Sequence, residues 1–241
     1  MSSGLPLARV AVRPDLRAPD GWFWDLPAIA QLRTGGLELA PVTVLVGENG
    51  SGKSTLVEAV ARAWQRSLTA AVKHWGPLPS PDESELWGEL ELHGEYPRPQ
   101  GGAFLRAEAM HGHFSSLDEG ADGVRAFGGP LNARSHGEGF LAFLEERTTE
   151  RGLWVLDEPE SALSFRSSLR LLALLDGVVA AGSQVLLATH SPLLAALPGA
   201  LVYELDGDGC TPREWSELDL VQDWRAFLDD PERLLHHLLD D

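Results

Sequence analysis

Residues 47–55 read Gly-Glu-Asn-Gly-Ser-Gly-Lys-Ser-Thr. Gly47, Gly52, Lys53 and Ser54 satisfy G-x-x-x-x-G-K-[ST], a spacing with which a chain can wrap a polyphosphate. Gly47, Gly50 and Gly52 allow tight turns and close approach of the backbone to oxygen atoms. The amides of Glu48, Asn49, Gly50, Ser51 and Gly52 can then point at phosphates, and the positive end of a following helix adds to the field. In that arrangement Lys53 is expected to reach the β- and γ-phosphates, Ser54 to hold Mg²⁺ and Thr55 to touch the α-phosphate. The bland alternative is a glycine turn with a surface lysine. The chain has only two lysines, Lys53 and Lys73, against 17 arginines, so a lysine inside a glycine loop stands out. A second candidate is Leu153–Ser164, Leu-Trp-Val-Leu-Asp-Glu-Pro-Glu-Ser-Ala-Leu-Ser. Four apolar residues lead into Asp157, placed to hold Mg²⁺ directly or through water. Glu158 is one residue further on and points the other way, where a carboxylate can orient or deprotonate a water. Alone, the pair reads equally well as a strand ending in two solvated acids.

These residues need elements to hold them. Val42–Val46 is a β-branched run ending in the glycine cluster, as a buried parallel strand does. After it, Leu56, Val57, Val60, Ala61 and Trp64 recur at helical spacing. Leu153–Glu158, Val185–His190 and Leu201–Leu205 read as further strands, and Leu7–Val12 and Leu37–Leu39 as shorter ones. Between them, helices fit about Gly137–Arg147 and Ser161–Leu175, with two amphipathic helices near Leu218–Leu228 and Pro231–Leu239. Strands alternating with helices predict an α/β fold with a mainly parallel sheet. The organisation expected is a single domain over residues 1–241 with a loop-rich insert at about 67–134 and an acidic helical tail at about 206–241. The insert holds Pro77, Pro79, Pro81, Pro97 and Pro99, a strand near Leu86–Leu92 and another over Gly102–Glu108. His111–Gly129 reads as a glycine-rich loop. Trp22, Phe23 and Trp24, about 25 residues before the glycine loop, read as strand-spaced core aromatics.

Composition narrows the function classes. The net charge is −17, from 36 acidic and 19 basic residues. A chain that acidic has no overall footprint for nucleic acid, so DNA binding is not favoured. From Asp206 onward the balance is 11 acidic to 3 basic, which marks a solvated tail. One cysteine, Cys210, allows no internal disulfide, and no Cys/His cluster points to zinc. No apolar run reaches the roughly 18 residues of a membrane span, and the N-terminus lacks a secretory apolar region. A cytoplasmic protein without direct membrane insertion is the expectation.

Four segments in order, 47–55, Ser135-His136-Gly137-Glu138, 153–164 and Ala188-Thr189-His190-Ser191-Pro192, resemble the ABC-type ATPase superfamily over most of the chain. Within it the sequence is similar to small stand-alone bacterial ATPases of a RecF/SMC-like kind. Those carry counterparts of 41–61, Phe104–Ala109, Ala133–Glu138 and Phe227–Leu239. The resemblance implies a P-loop NTPase fold of ABC-ATPase type, a mainly parallel sheet flanked by helices with an antiparallel β portion. It makes 161–164 the D-loop and His190 the switch histidine facing the γ-phosphate and the attacking water. Ser135 and Gly137 become the signature that meets the γ-phosphate of the opposite subunit. This signature departs from Leu-Ser-Gly-Gly-Gln, because His136 and Glu138 replace Gly and Gln. Without the resemblance, Ser135 and Glu138 read as a capping box at a helix start. No glutamine lies between Gln100 and Gln184, so Glu108 stands where the resemblance puts a magnesium-serving side chain, or is a plain solvated strand end. The implied activity is Mg²⁺-dependent ATP hydrolysis coupled to head-to-tail homodimerisation around ATP, with Lys53, Glu158 and His190 at the chemistry and an unidentified protein partner. Two alternatives are the nucleotide-binding subunit of a membrane transporter and a DNA-repair ATPase of RecF/SMC type.

Overall fold

The computed structural model describes residues 4–14, 21–68, 84–118, 127, 129–147 and 150–239. Its strands are β1 (Arg9–Val12), β2 (Leu37–Glu38), β3 (Val42–Gly47), β4 (Leu90–His93), β5 (Gly101–Arg106), β6 (Gly152–Asp157), β7 (Gln184–Ala188), β8 (Leu201–Asp206) and β9 (Gly209–Pro212). Its α-helices are α1 (Pro27–Gln31), α2 (Lys53–Ser67), α3 (Ala107–Asp118), α4 (His136–Arg147), α5 (Phe165–Ala180), α6 (Asp219–Asp229) and α7 (Pro231–Leu239). The main sheet runs β5-β6-β7-β3-β8-β9. The first five strands are parallel, and β9 turns back antiparallel to β8. A smaller antiparallel sheet, β2-β1-β4, packs beside it. This is the α/β architecture expected, with the antiparallel portion in place.

Period-2 alternation explains why the main sheet is buried on both faces. In β3, Val42, Val44 and Val46 point into a core shared with α3, α4 and α5, while Leu45 points into a core shared with α1, α2 and the small sheet. In β6, Trp154 and Leu156 take the first side, and Leu153 and Val155 the second. Each fully buried aliphatic side chain stabilises by about 1.5–3 kcal/mol, so these strands are fixed by burial rather than by intrinsic preference. The α2 positions Leu56, Val57, Val60, Ala61 and Trp64 are all buried, as their spacing predicts. Gln184 joins the two sheets. Its buried side chain accepts from Leu7 N at 2.7 Å and donates to Leu7 O at 2.6 Å and Ala40 O at 2.9 Å.

Several segments differ from the sequence expectation: Leu86–Gly88 is a 3-10 turn and the strand expected there begins only at Leu90, and Gly209–Pro212, within the stretch read as a helical tail, is strand β9. The first part of His111–Gly129 belongs to helix α3, because Met110 and Phe114 lie four apart and pack into the core on the α4 side. Their spacing is hidden among His, Gly and Ser. Trp22–Asp25 is a 3-10 turn, not a strand, with Phe23 buried and Trp22 exposed. The helix expected from Ser161 starts at Phe165, because Pro159–Ala162 forms its own short turn and Ser164 caps the helix by accepting from Ser167 N. Within the stretch read as an insert, β4 completes the small sheet and β5 forms one edge of the large one. Pro77, Pro79 and Pro81 lie outside the described residues.

Candidate functional site

Parallel pairing brings the predicted residues to one edge of the sheet. In register, Arg106 lies beside Asp157, Asp157 beside Ala188, and Ala188 beside Leu45. The loops leaving β3, β5, β6 and β7 therefore emerge together at the strand C-termini, where open α/β sheets bind ligands.

The glycine loop follows β3. Gly47 has φ 148°, and a Cβ there would sit 2.3 Å from Leu205 O, so only glycine fits. Gly52 has φ 99° immediately before α2, and a Cβ would meet Leu26 at 3.2 Å. Leu26 ends the aromatic turn, which brings that segment against the loop. Lys53 is buried, and its Nζ donates to the carbonyls of Gly47 and Glu48 at 2.9 Å each. Burial lowers its pKa, opposed by the negative field of Glu158, Asp157 and Glu160. Glu48, Asn49 and Gly50 are exposed, and Ser51 Oγ is buried without a hydrogen bond among the described residues. Thr55 lies in the first turn of α2, half-buried.

Ser54 Oγ donates to Asp157 Oδ1 at 3.0 Å, which sets the two predicted magnesium residues side by side. Asp157 is almost fully buried. Burial pushes its pKa up to about 6, against the Arg106 guanidinium and the Ser54 hydroxyl, which favour the anion. Arg106 Nε lies 3.5 Å from Asp157 Oδ2, and Arg106 Nη1 pairs with Glu58 Oε1 on α2. Sequence reasoning overlooked both Arg106 and Glu58. The only signal was an arginine ending the apolar run of β5. Glu108, singled out instead, falls in the first turn of α3, and its side chain lies outside the described residues.

Glu158 departs sharply from the strand, with φ 46° and ψ 51°. A left-handed conformation costs a non-glycine residue about 1–2 kcal/mol. It is held by Glu158 N donating to Ala188 O at 2.9 Å and by Ser161 N and Oγ donating back to Glu158 O. The turn sends Glu158 away from Asp157. With Ser54, Arg106, Ala107, Asp157 and Ser161 it lines a small cleft. His190 Nε2 stands 3.4 Å from Glu158 Oε1 and makes no hydrogen bond among the described residues. Its backbone is set by Glu160, whose Oε1 accepts from His190 N at 2.5 Å and from Thr189 Oγ1 at 2.7 Å. Glu160 was missed as well, although it is the third carboxylate within four residues.

The signature candidate sits nearby. A Cβ on Gly137 would lie 3.0 Å from Ala162 O, so the start of α4 abuts the turn that follows Glu158. Ser135 is exposed and forms the capping box that its spacing allows. Its Oγ donates to Glu138 Oε2 at 2.6 Å and its N to the same oxygen at 3.1 Å, while Glu138 N donates back to Ser135 Oγ.

The donor set fits a magnesium-bound triphosphate. Loop amides and Lys53 supply donors for phosphate oxygens, and a hydroxyl next to a carboxylate supplies the few hard oxygen ligands that Mg²⁺ takes from protein. Two buried polar atoms at the same edge, Ser51 Oγ and His190 Nε2, make no hydrogen bond among the described residues. A metal held by Asp157 would require its anion, and burial raises that pKa to about 6. Above that pH the carboxylate is ionised; below it, protonation competes with the metal. The gain in nucleotide affinity on adding Mg²⁺ should therefore be constant from about pH 7 upward and fall up to about tenfold per unit below 6. Titrating a fluorescent ATP analogue with and without Mg²⁺ from pH 5 to 8 checks this, and Asp157→Asn should leave only the weaker dependence due to the nucleotide's own terminal phosphate, which titrates at about 6.

No family model matches the chain. It is 29% identical over 202 residues to the cytochrome c biogenesis ATP-binding export protein CcmA of Cupriavidus necator, covering 70% of this chain and 79% of that one. It is 32% identical over 167 residues to the CcmA of Rhizobium etli, covering 62% and 75%. Among solved structures it is similar to the SMC head domain from Thermotoga maritima, at 17% identity and a TM-score of 0.48, with 86% of this chain and 99% of that one covered.

Proposed function

Because the chain belongs to the ABC-type ATPase superfamily, we propose that it binds ATP with Mg²⁺, hydrolyses it to ADP and phosphate, and dimerises head to tail around two nucleotides. The observation that carries this is the convergence of Lys53, Ser54, Asp157, Glu158 and His190 on one sheet edge. The loop 47–55 wraps the triphosphate, with the amides of Glu48, Asn49, Gly50, Ser51 and Gly52 as donors and Thr55 toward the α-phosphate. Lys53 exchanges its two carbonyl contacts for phosphate oxygens. Ser54 and Asp157 would hold the metal, with Glu108 as a further candidate, and a bound Mg²⁺ would supply positive charge to offset that of the phosphates. Arg106 keeps Asp157 ionised and in place. Glu158 takes a proton from the attacking water as its oxygen bonds to the γ-phosphorus, and the bond to the β-γ bridging oxygen breaks. His190, oriented by Glu160, holds the γ-phosphate and that water. Ser135 and Gly137 cover the γ-phosphate bound by the opposite subunit.

A purified sample should hydrolyse ATP only with Mg²⁺. Lys53→Ala should weaken nucleotide binding by about 10–100-fold, the worth of hydrogen bonds to a charged group. Equal affinity for ATP in the wild type and Lys53→Ala, measured by equilibrium dialysis, would remove the loop from the site.

A second reading is the ATP-binding subunit of an exporter, favoured by the names of the two CcmA relatives. No described helix is long and apolar enough to cross a membrane. Recovery of an integral membrane protein with the ATP-loaded Glu158→Gln variant would favour this reading, and recovery of none would favour a stand-alone ATPase. The acidic composition gives no support to the DNA-repair alternative.

A further inference from the structure

The Ser135 turn presents an exposed hydroxyl and amide, but both are engaged by one carboxylate. Ser135 Oγ has a single proton, and it is donated to Glu138 Oε2 at 2.6 Å. The Ser135 amide donates to the same oxygen at 3.1 Å. These bonds, the hydroxyl first, hold the Glu138 carboxyl below the usual carboxylate range, so it is an anion at neutral pH. An anion thus already sits at the start of α4, where the helix end favours negative charge.

A γ-phosphate arriving from another subunit would seek the same hydroxyl and meet the same field. A carboxylate and a phosphate cannot share one donor, and two anions in contact repel. Glu138 is exposed and can swing aside. It also has somewhere to go. Arg134 and Arg170 line a surface cleft with Glu138, Ala142 and Glu145, and both arginines already favour its charged form. Arg170 Nη2 now pairs with Glu145 at 3.3 Å, an exposed contact that is cheap to rearrange.

We propose that Glu138 is an anionic latch, a positioning residue that holds the Ser135 donors in the isolated subunit and moves to the Arg134/Arg170 side of the cleft when the dimer closes on ATP. The latch rests on the dimer reading above. It sets the nucleotide concentration at which closure occurs and leaves binding to the subunit's own loop unchanged.

The test uses the full chain carrying Glu158→Gln, which holds ATP without turnover. Light scattering is followed against MgATP concentration, alone and with Glu138→Gln or Glu138→Ala added. Both second substitutions remove the charge, and Gln keeps a hydrogen-bonding cap. Half-dimerisation should shift to about tenfold lower MgATP, the difference between a charged and a neutral acceptor on the donor. The shift should shrink at about 0.5 M salt, where exposed charges are screened. Affinity of the monomer for a fluorescent ATP analogue should stay unchanged, which also shows that the variants are folded. A midpoint that stays put or rises while dimers still form would mean that Glu138 only caps the helix, and would overturn the latch alone. Failure of Glu158→Gln to dimerise in MgATP would overturn the dimer reading and the latch with it.

Discussion

Replacing Glu158 by Gln should leave MgATP bound and lower turnover by about 10²–10⁴-fold, the usual contribution of a positioned general base. The expectation follows from where the backbone sends this side chain. Asp157, still in the strand, is buried beside Ser54. One residue later the chain adopts φ 46°, and Glu158 leaves the sheet toward His190. Gln matches Glu in shape and can accept the same contacts, but it cannot take a proton. The binding groups proposed, the loop with Ser54 and Asp157, are not changed by the substitution. Single-turnover hydrolysis against a binding titration separates the two effects. Wild-type turnover in Glu158→Gln would show that the carboxylate lining the cleft is not the group that activates water, and would direct attention to His190. Loss of binding along with turnover would instead show that the left-handed turn at Glu158 supports the metal residues.

The features legible in the sequence were those encoded by neighbours along the chain. The run 42–64 carries its own strand, loop and helix, so Gly47, Lys53 and Ser54 could be placed without knowing anything else. Leu153–Glu158 announces a buried strand with acids at its end for the same reason. The illegible features depend on partners far away in sequence. The contact of Arg106 with Glu58 spans 48 residues, and no local pattern distinguishes that arginine from the 16 others. Glu160 acts on Thr189 and His190 across roughly 30 positions, so its role becomes visible only when β6 and β7 are paired. Helix α3 was obscured differently: its described buried side chains Ala107, Met110 and Phe114 are diluted by Gly, His and Ser and do not stand out. The aromatic turn at Trp22–Asp25 follows from packing of Phe23 against the core, which period-2 reasoning cannot foresee.

Glu158→Gln should run as a dimer in MgATP and as a monomer, or a looser dimer, in ADP. As proposed, the loop 47–55 and Lys53 would hold a triphosphate from one side, because α2 begins directly behind them. Within this chain, Glu158 lines a small cleft with Ser54 and Asp157, and His190 Nε2 stands 3.4 Å from Glu158 Oε1. A second subunit would close the other side, exclude water and strengthen each charge contact around the phosphates. Ser135 and Gly137 are suited to such a covering role. Ser135 is exposed, and Gly137 packs so near Ala162 O that the α4 start is fixed relative to the turn after Glu158. A twofold axis would then make two equal sites from one surface. Hydrolysis would remove the γ-phosphate and with it the proposed contact that favours closure, so ADP should release the dimer. Adding Ser135→Arg places a long side chain at the contact and should abolish the ATP-driven shift while nucleotide affinity of the monomer stays within about twofold, since Ser135 does not touch its own loop. Light scattering reads both states directly. A Glu158→Gln/Ser135→Arg protein that still dimerises in ATP would show that Ser135 does not face the opposite nucleotide. The covering surface would then have to be sought on another exposed element beside the cleft, for which Phe165 and Leu169, apolar and exposed in the first turns of α5, are the next candidates.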